Sequence, residues 1–318
     1  MSQLPYHAVI VDLDRTLLRT DKTISEYTQG VLREWRQAGA YLFAATARPE
    51  RAIADYRRII SFHAVTTLNG ARTLTPEHTY ENAIETEDAL FILNQLCETK
   101  DMVISVEAEN GIYANQDIPI WHPAVTDDIR EIPKKERIYK ILASHPDRSA
   151  EKIRIDLPET VYSTVADKKL RQYMSRTATK WQGIQQLLES VGLKPEQAIY
   201  FGDDNDDLEP IRRCGYGVAG SNALAQFREG LAEKRRIRLD DGNLDLRPVR
   251  QEFPDDGHAT RRVSKAPIQR GHQDFYLASS HALAQSPWSQ SLSSPISMRS
   301  WILCAPEMST SRACFSIE

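Results

Sequence analysis

The apolar run Ala8-Val9-Ile10-Val11 breaks off at Asp12-Leu13-Asp14, and a hydroxyl, Thr16, follows two positions later. A short apolar run closed by a polar turn reads as a strand buried on both faces. Alternation along such a strand puts Asp12 and Asp14 on one side, so like charges converge at its carboxyl end. That convergence calls for a bound cation or for a proton on one carboxyl. Read alone, the segment also fits a strand ending in a solvated acidic turn.

Three more segments have the same design. Ala40-Tyr41-Leu42-Phe43-Ala44-Ala45 runs into Thr46-Ala47-Arg48. Thr46 then sits at a strand tip, where a hydroxyl can donate to a phosphate oxygen or cap a helix. Thr177-Ala178-Thr179-Lys180 leads into a helix with Ile184, Leu187 and Leu188 on one side. A lysine at a helix start opposes the macrodipole unless an anion lies nearby, although Lys180 by itself also suits a plain surface position. Ala198-Ile199-Tyr200-Phe201 meets Gly202 and then Asp203-Asp204-Asn205-Asp206-Asp207. An EF-hand would need Gly at its sixth position and Glu at its twelfth. Counted from Asp203, those positions hold Leu208 and Cys214. A hard-cation site shared with other strands is the better reading, and Mg2+ suits it.

Taken in order, the four segments resemble the haloacid dehalogenase superfamily, specifically its Cof-type (subclass IIB) sugar-phosphatase-like branch. Asp12, Asp14 and Thr16 match its D-x-D-x-T motif, and Thr46-Ala47-Arg48 stands for T-G-R. Thr179-Lys180 matches the lysine motif, and Gly202-Asp203-Asp204-Asn205-Asp206-Asp207 matches G-D-x-x-N-D. Leu68-Asn69-Gly70-Ala71 stands where the branch carries an Asn-Gly-Ala turn. The likeness spans roughly residues 6 to 235.

The resemblance implies a Rossmann-like parallel-sheet core with an inserted α+β cap, and a phosphoric monoester hydrolase. Asp12 would be the nucleophile. Asp14 would be the general acid and base, a task favouring a pKa raised by the neighbouring carboxylate. Thr46 and Lys180 would hold the phosphoryl oxygens. Mg2+ would take the Asp12 carboxylate, the main-chain carbonyl of Asp14 and the Asp203 carboxylate, with Asp207 close by. Arg15, Arg48, Asn69 and Asp206 are expected beside these groups, touching substrate or supporting its ligands. Three positions depart from the pattern: Arg15 and Ala47 replace small residues, usually Gly, and Asp206 replaces Asn. An ionised carboxylate cannot donate a hydrogen bond as an amide can.

At 318 residues the chain has room for about two domains. The expected division is 1–75 core, 76–176 cap, 177–240 core again, and 241–318 an atypical tail. Core helices are expected over 24–38, 49–61, 181–190, near 206–213 and over 222–233. Cap strands are expected over 102–107, 111–114, 138–142 and 161–165, and cap helices over 86–98 and 149–156. Glu107, Tyr113 and Lys140 are the cap's candidate substrate contacts. A formal charge of −4 argues against a nucleic-acid partner. No apolar stretch reaches the roughly 20 residues of a membrane span. The four cysteines, widely spaced, read as free thiols in a reducing compartment, and the expectation is a cytoplasmic protein acting on a small phosphorylated metabolite. Residues 249–318 hold 13 of the 23 serines and no sustained period. They read as disordered, as an appended interaction segment or as a frameshift product. A weak enzyme that binds or senses a phosphometabolite, and a phosphosugar mutase, are the alternative functions.

Overall fold

The structure is a computed structural model, and it describes residues 6–166 and 168–220. The helix expected over 222–233 and the tail lie outside the described residues. In chain order the elements begin with β1 (Ala8–Val11), α1 (Glu26–Gln37), β2 (Tyr41–Ala45), α2 (Ala54–Ile59), β3 (Ala64–Thr67), β4 (Arg72–Leu74) and β5 (Thr79–Glu81). Next come α3 (Thr86–Cys97), β6 (Val103–Ala108), β7 (Gly111–Ala114), β8 (Ala124–Val125), β9 (Ile138–Ser144), β10 (Val161–Ala166) and β11 (Leu170–Ser175). The described chain closes with α4 (Lys180–Glu189), β12 (Ala198–Gly202), α5 (Leu208–Arg213) and β13 (Tyr216–Ala219).

Two sheets result. The larger has seven strands in the order β13-β12-β1-β2-β3-β4-β5. Its first five are parallel, with Val11 level with Phe201 on one side and Ala44 on the other. Parallel strands need helical crossovers, which cover both faces and account for the unbroken apolar runs. Val9, Val11, Leu42 and Phe201 pack on one face with Leu32 and Trp35 of α1. Ala8, Ile10, Phe43 and Tyr200 pack on the other with Trp181, Ile184 and Leu187 of α4. Helix α1 starts where the Ser25 hydroxyl accepts from the Thr28 amide, the N-cap bond that Ser makes well. It stops at Gly39, whose φ of 96° suits a residue without Cβ.

The smaller sheet interrupts the larger one in sequence. Its order is β10-β11-β9-β6-β7-β8, and α3 packs Ile92, Leu93 and Leu96 against Ile104, Ile141 and Tyr173. A parallel-sheet core with an inserted α+β unit was the expected class, and the fold agrees with it. Details differ. No helix forms over 149–156: only a 3₁₀ turn, Ala150–Lys152, is present. Ile153 and Ile155 instead point into the α3 core at period two, and Pro158 disfavours helix in the residue before it. The helix expected over 49–61 splits into a 3₁₀ turn, Glu50–Ile53, and the short α2. Strand β11, which the sequence reading lacks, fills the place between β9 and β10. Its Leu-Arg-Gln-Tyr-Met-Ser sequence has no clean alternation because five of the six residues are buried.

Candidate active site

Strands β12, β1 and β2 lie side by side, and their carboxyl ends deliver Asp203, Asp12 and Thr46 to one edge of the sheet. This edge is where open parallel sheets bind ligands. Asp12, Asp203 and Asp207 each offer a carboxylate oxygen within 4.8 Å of the other two, and all three side chains are buried. Lys180, the first residue of α4, stands among them. Its Nζ donates to Asp12 Oδ1 at 2.8 Å and to Asp207 Oδ1 at 2.6 Å. Thr179 caps that helix by accepting from the Gln182 amide, which fixes where the lysine emerges.

Asp207 is held on every side. Besides Lys180, its Oδ1 accepts from the Tyr200 hydroxyl at 2.5 Å, and its Oδ2 accepts from the amides of Asp203 and Asp204 at 2.9 Å each. Four bonds fill a carboxylate's acceptor capacity. Asp207 therefore shapes the Asp203 turn and aims Lys180, and Asp12 and Asp203 stand beside it as the other two carboxylates of the cluster. Gly202 makes the turn possible, since a Cβ there would lie 2.5 Å from the Asp207 Cβ and Cγ. Tyr200 was not among the expected site residues. Its signal was its place two residues before Gly202, on the face that α4 covers.

Charge in the cluster is out of balance. Burial, partly offset by Lys180 and reinforced by Asp207 and Asp203, pushes the Asp12 carboxyl well above its usual range. Asp203 is pushed from 3.8 to about 7, chiefly by burial and then by Asp207, with Arg15 pulling the other way. Burial opposes the Lys180 charge, but Asp12 and Asp207 outweigh it and raise its pKa well above normal. Buried carboxylates that resist ionising, with oxygen donors only, are what a hard divalent cation relieves. The donor set therefore fits a hard divalent cation.

Asp14 corrects one expectation. Its side chain does not join the cluster. Strand β1 ends at Val11, and the chain then turns tightly, the amides of Leu17 and Leu18 donating to the carbonyls of Asp12 and Leu13. Strand alternation stops there, and Asp14 points to Arg48 and Lys22 instead. Arg48 donates from Nε and Nη2 at 2.8 Å, and Lys22 from Nζ at 2.8 Å. Burial pushes the carboxyl up, but these bonds and charges overcome it, so the pKa is lowered rather than raised. Lys22, also absent from the expected set, sits at φ 65° in a turn that nothing in its sequence context links to Asp14.

Thr46 is buried, and its Oγ1 accepts from the Arg48 amide at 3.1 Å. Arg48 is wholly enclosed over the Tyr56 ring. Arg15 is exposed at φ 61° and contributes charge near Asp203. Asn69 adopts a left-handed conformation, φ 58° and ψ 30°, and its Nδ2 donates to Asp206. Gly70 follows with φ 94°, and a Cβ there would lie 2.0 Å from the Thr179 carbonyl oxygen, so the Asn-Gly turn packs directly on the Lys180 loop. Of the cap candidates, Tyr113 bonds Glu136 within the cap. Glu107 takes a bidentate pair from Arg51 of the core, at 2.6 and 2.8 Å. Lys140 enters the site.

The family model for haloacid dehalogenase-like hydrolases matches residues 9–229. The chain belongs to the haloacid dehalogenase-like hydrolase family. Among curated relatives, a 5-amino-6-(5-phospho-D-ribitylamino)uracil phosphatase of Bacillus subtilis is 26% identical over 244 residues, covering 70% of this chain and 89% of that protein. A putative phosphatase of Haemophilus influenzae is 24% identical over 277 residues, covering 79% and 98%. Among solved structures, the subclass IIB sugar phosphatase BT4131 superposes with a TM-score of 0.65 at 22% identity, covering 77% of this hydrolase and 98% of that chain. A Thermotoga maritima structure gives 0.66 at 19%, covering 79% and 98%. The hydrolase is a phosphatase of the Cof-type branch. Among its described residues no helix is long and apolar enough to cross a membrane.

Proposed function

We propose that this hydrolase is a Mg2+-dependent phosphatase of small phosphorylated metabolites, sugar phosphates or similar, acting through an aspartyl-phosphate on Asp12. One observation carries the reading: three buried carboxylates and a buried lysine converge at the carboxyl ends of adjacent parallel strands. The sugar-phosphatase neighbour and the ribitylaminouracil phosphatase relative support the substrate class.

Phosphate monoesters resist attack because their oxygens repel nucleophiles, so catalysis rests on in-line placement and charge neutralisation. Asp12 and Asp203 carboxylates, with the Asp14 main-chain carbonyl, would hold Mg2+; when bound, the ion offsets the negative charge of carboxylates and phosphoryl oxygens. Lys180 supplies a fixed ammonium on the same side, and the Thr46 hydroxyl, at the tip of β2, donates to a phosphoryl oxygen. An Asp12 oxygen forms the bond to phosphorus while the ester P–O bond breaks and the leaving alkoxide takes a proton. Asp14 begins ionised in its contacts with Arg48 and Lys22. Its role as acid therefore requires those contacts to open and the carboxyl to take a proton from solvent as substrate enters. That proton passes to the leaving alkoxide, and the carboxylate left behind is the base toward the hydrolytic water. Water then attacks phosphorus, returning Asp12 and inorganic phosphate.

The test is phosphate release from a panel of sugar phosphates and ribityl-type phosphates, with Mg2+ and with EDTA. Turnover that needs Mg2+ and vanishes in Asp12→Asn is expected. A wild-type protein that releases no phosphate from any ester would overturn the reading.

A further inference from the structure

Lys140 has no part in the chemistry above, yet it is among the most enclosed cations of the described residues. It lies on β9 of the cap, is 2% exposed, and crosses into the site on the other sheet. Its Nζ donates to Asn69 Oδ1 at 2.6 Å and to the carbonyl oxygen of Ala47 at 3.2 Å. Ala47 lies between Thr46 and Arg48, so the ammonium reaches the phosphate-binding loop. Desolvating an ammonium is costly unless partners offset it, and here the partners belong to the site.

Asn69 joins Lys140 to Asp206. An amide has one acceptor oxygen and one donor nitrogen group. With Oδ1 taken by Lys140, Nδ2 turns to the Asp206 carboxylate. Asp206 is the residue at which this chain departs from the family's Asn, and it adds a carboxylate, and so a formal negative charge, beside the amide that Lys140 holds. Left uncompensated, that charge would repel a phosphoryl dianion bound at Lys180.

The geometry points to Lys140 as a positioning residue supplied by the cap: it fixes Asn69 and balances Asp206, making the pocket beside Thr46 and Lys180 receptive to a phosphate dianion. This inference rests on the phosphatase reading. It is tested on the full chain with p-nitrophenyl phosphate and Mg2+, comparing wild type, Lys140→Met, Asp206→Asn and the double variant. Inhibition by inorganic phosphate and thermal unfolding are followed in parallel. Lys140→Met should lower kcat/KM by about tenfold to a hundredfold, the usual consequence of leaving a buried polar group unpaired, and should weaken phosphate inhibition alongside. Adding Asp206→Asn should restore most of both losses, because the charge that Lys140 balanced is gone. A purely structural lysine would show no such rescue. Should Lys140→Met not fold, Lys140→Gln, which drops the charge and keeps a donor, is read the same way. If wild type turns over while Lys140→Met stays within twofold of it, or the two substitutions simply multiply, the inference fails and the phosphatase reading stands. If wild type itself hydrolyses no ester, both fall.

Discussion

Replacing Asp203 by Asn should make the metal-free protein more stable and remove its response to Mg2+. Asp203 is 4% exposed, and its carboxyl titrates at about 7 rather than 3.8. A folded pKa above the unfolded one means that the folded state binds more protons between those values. Stability therefore falls as pH rises through that window and levels off above about 7. At about 1.4 kcal/mol per unit, the ionised carboxylate costs the metal-free fold on the order of 4 kcal/mol at pH 8. At pH 5 the cost is under about 2 kcal/mol by the same arithmetic. Asn is nearly isosteric and keeps an oxygen to accept from the Thr16 hydroxyl, a bond of 3.2 Å in the wild type. The assay is thermal unfolding in EDTA at pH 5 and pH 8, then with Mg2+ added. The variant should melt several degrees above wild type at pH 8, each kcal/mol being worth about 2–4 °C, with a smaller gap at pH 5. Mg2+ at a hundredfold excess over its Kd should stabilise wild type by about 2.7 kcal/mol and the variant hardly at all. A variant no more stable than wild type at pH 8, or one that Mg2+ stabilises equally, would refute the cation-site account.

Arg48→Met removes the bidentate contact that, with Lys22, holds the Asp14 pKa down. The pH–rate limb that requires ionised Asp14 should then move to higher pH, and an unchanged limb would remove Asp14 from the base role. Lys180→Met leaves Asp12 and Asp207 without their shared cation; chemical denaturation should report a loss of about 3–5 kcal/mol, with no measurable phosphate release. Gly202→Ala places a methyl 2.5 Å from Asp207, so turnover should drop steeply while far-UV circular dichroism stays native-like. Ile184→Ala empties a fully buried position where α4 meets the sheet, and urea unfolding should show about 2–5 kcal/mol lost.

The linear order of residues was enough to reveal the strand tips. Short apolar runs that end in Asp12, Thr46 and Gly202-Asp203 are local patterns, and burial on both faces of a parallel sheet is what makes them continuous. The lysine at a helix start and the Asn-Gly turn were legible for the same reason, because caps and turns depend on a few neighbouring residues. Where local pattern weakened, so did the reading: Ile153-Arg154-Ile155 before Pro158 did not make a helix, and β11 was hidden because nearly all of it is buried.

Tertiary structure alone decided the charge pairing. Strand alternation grouped Asp14 with Asp12, but the chain leaves the strand at Val11 and Asp14 turns to Arg48, 34 positions away. Lys180 reaches Asp12 across 168 positions, and Lys140 reaches Asn69 across 71. Such partners are set by strand register and by how the cap rests on the core. Energies of this kind depend on separation and burial, quantities that no spacing along the chain contains.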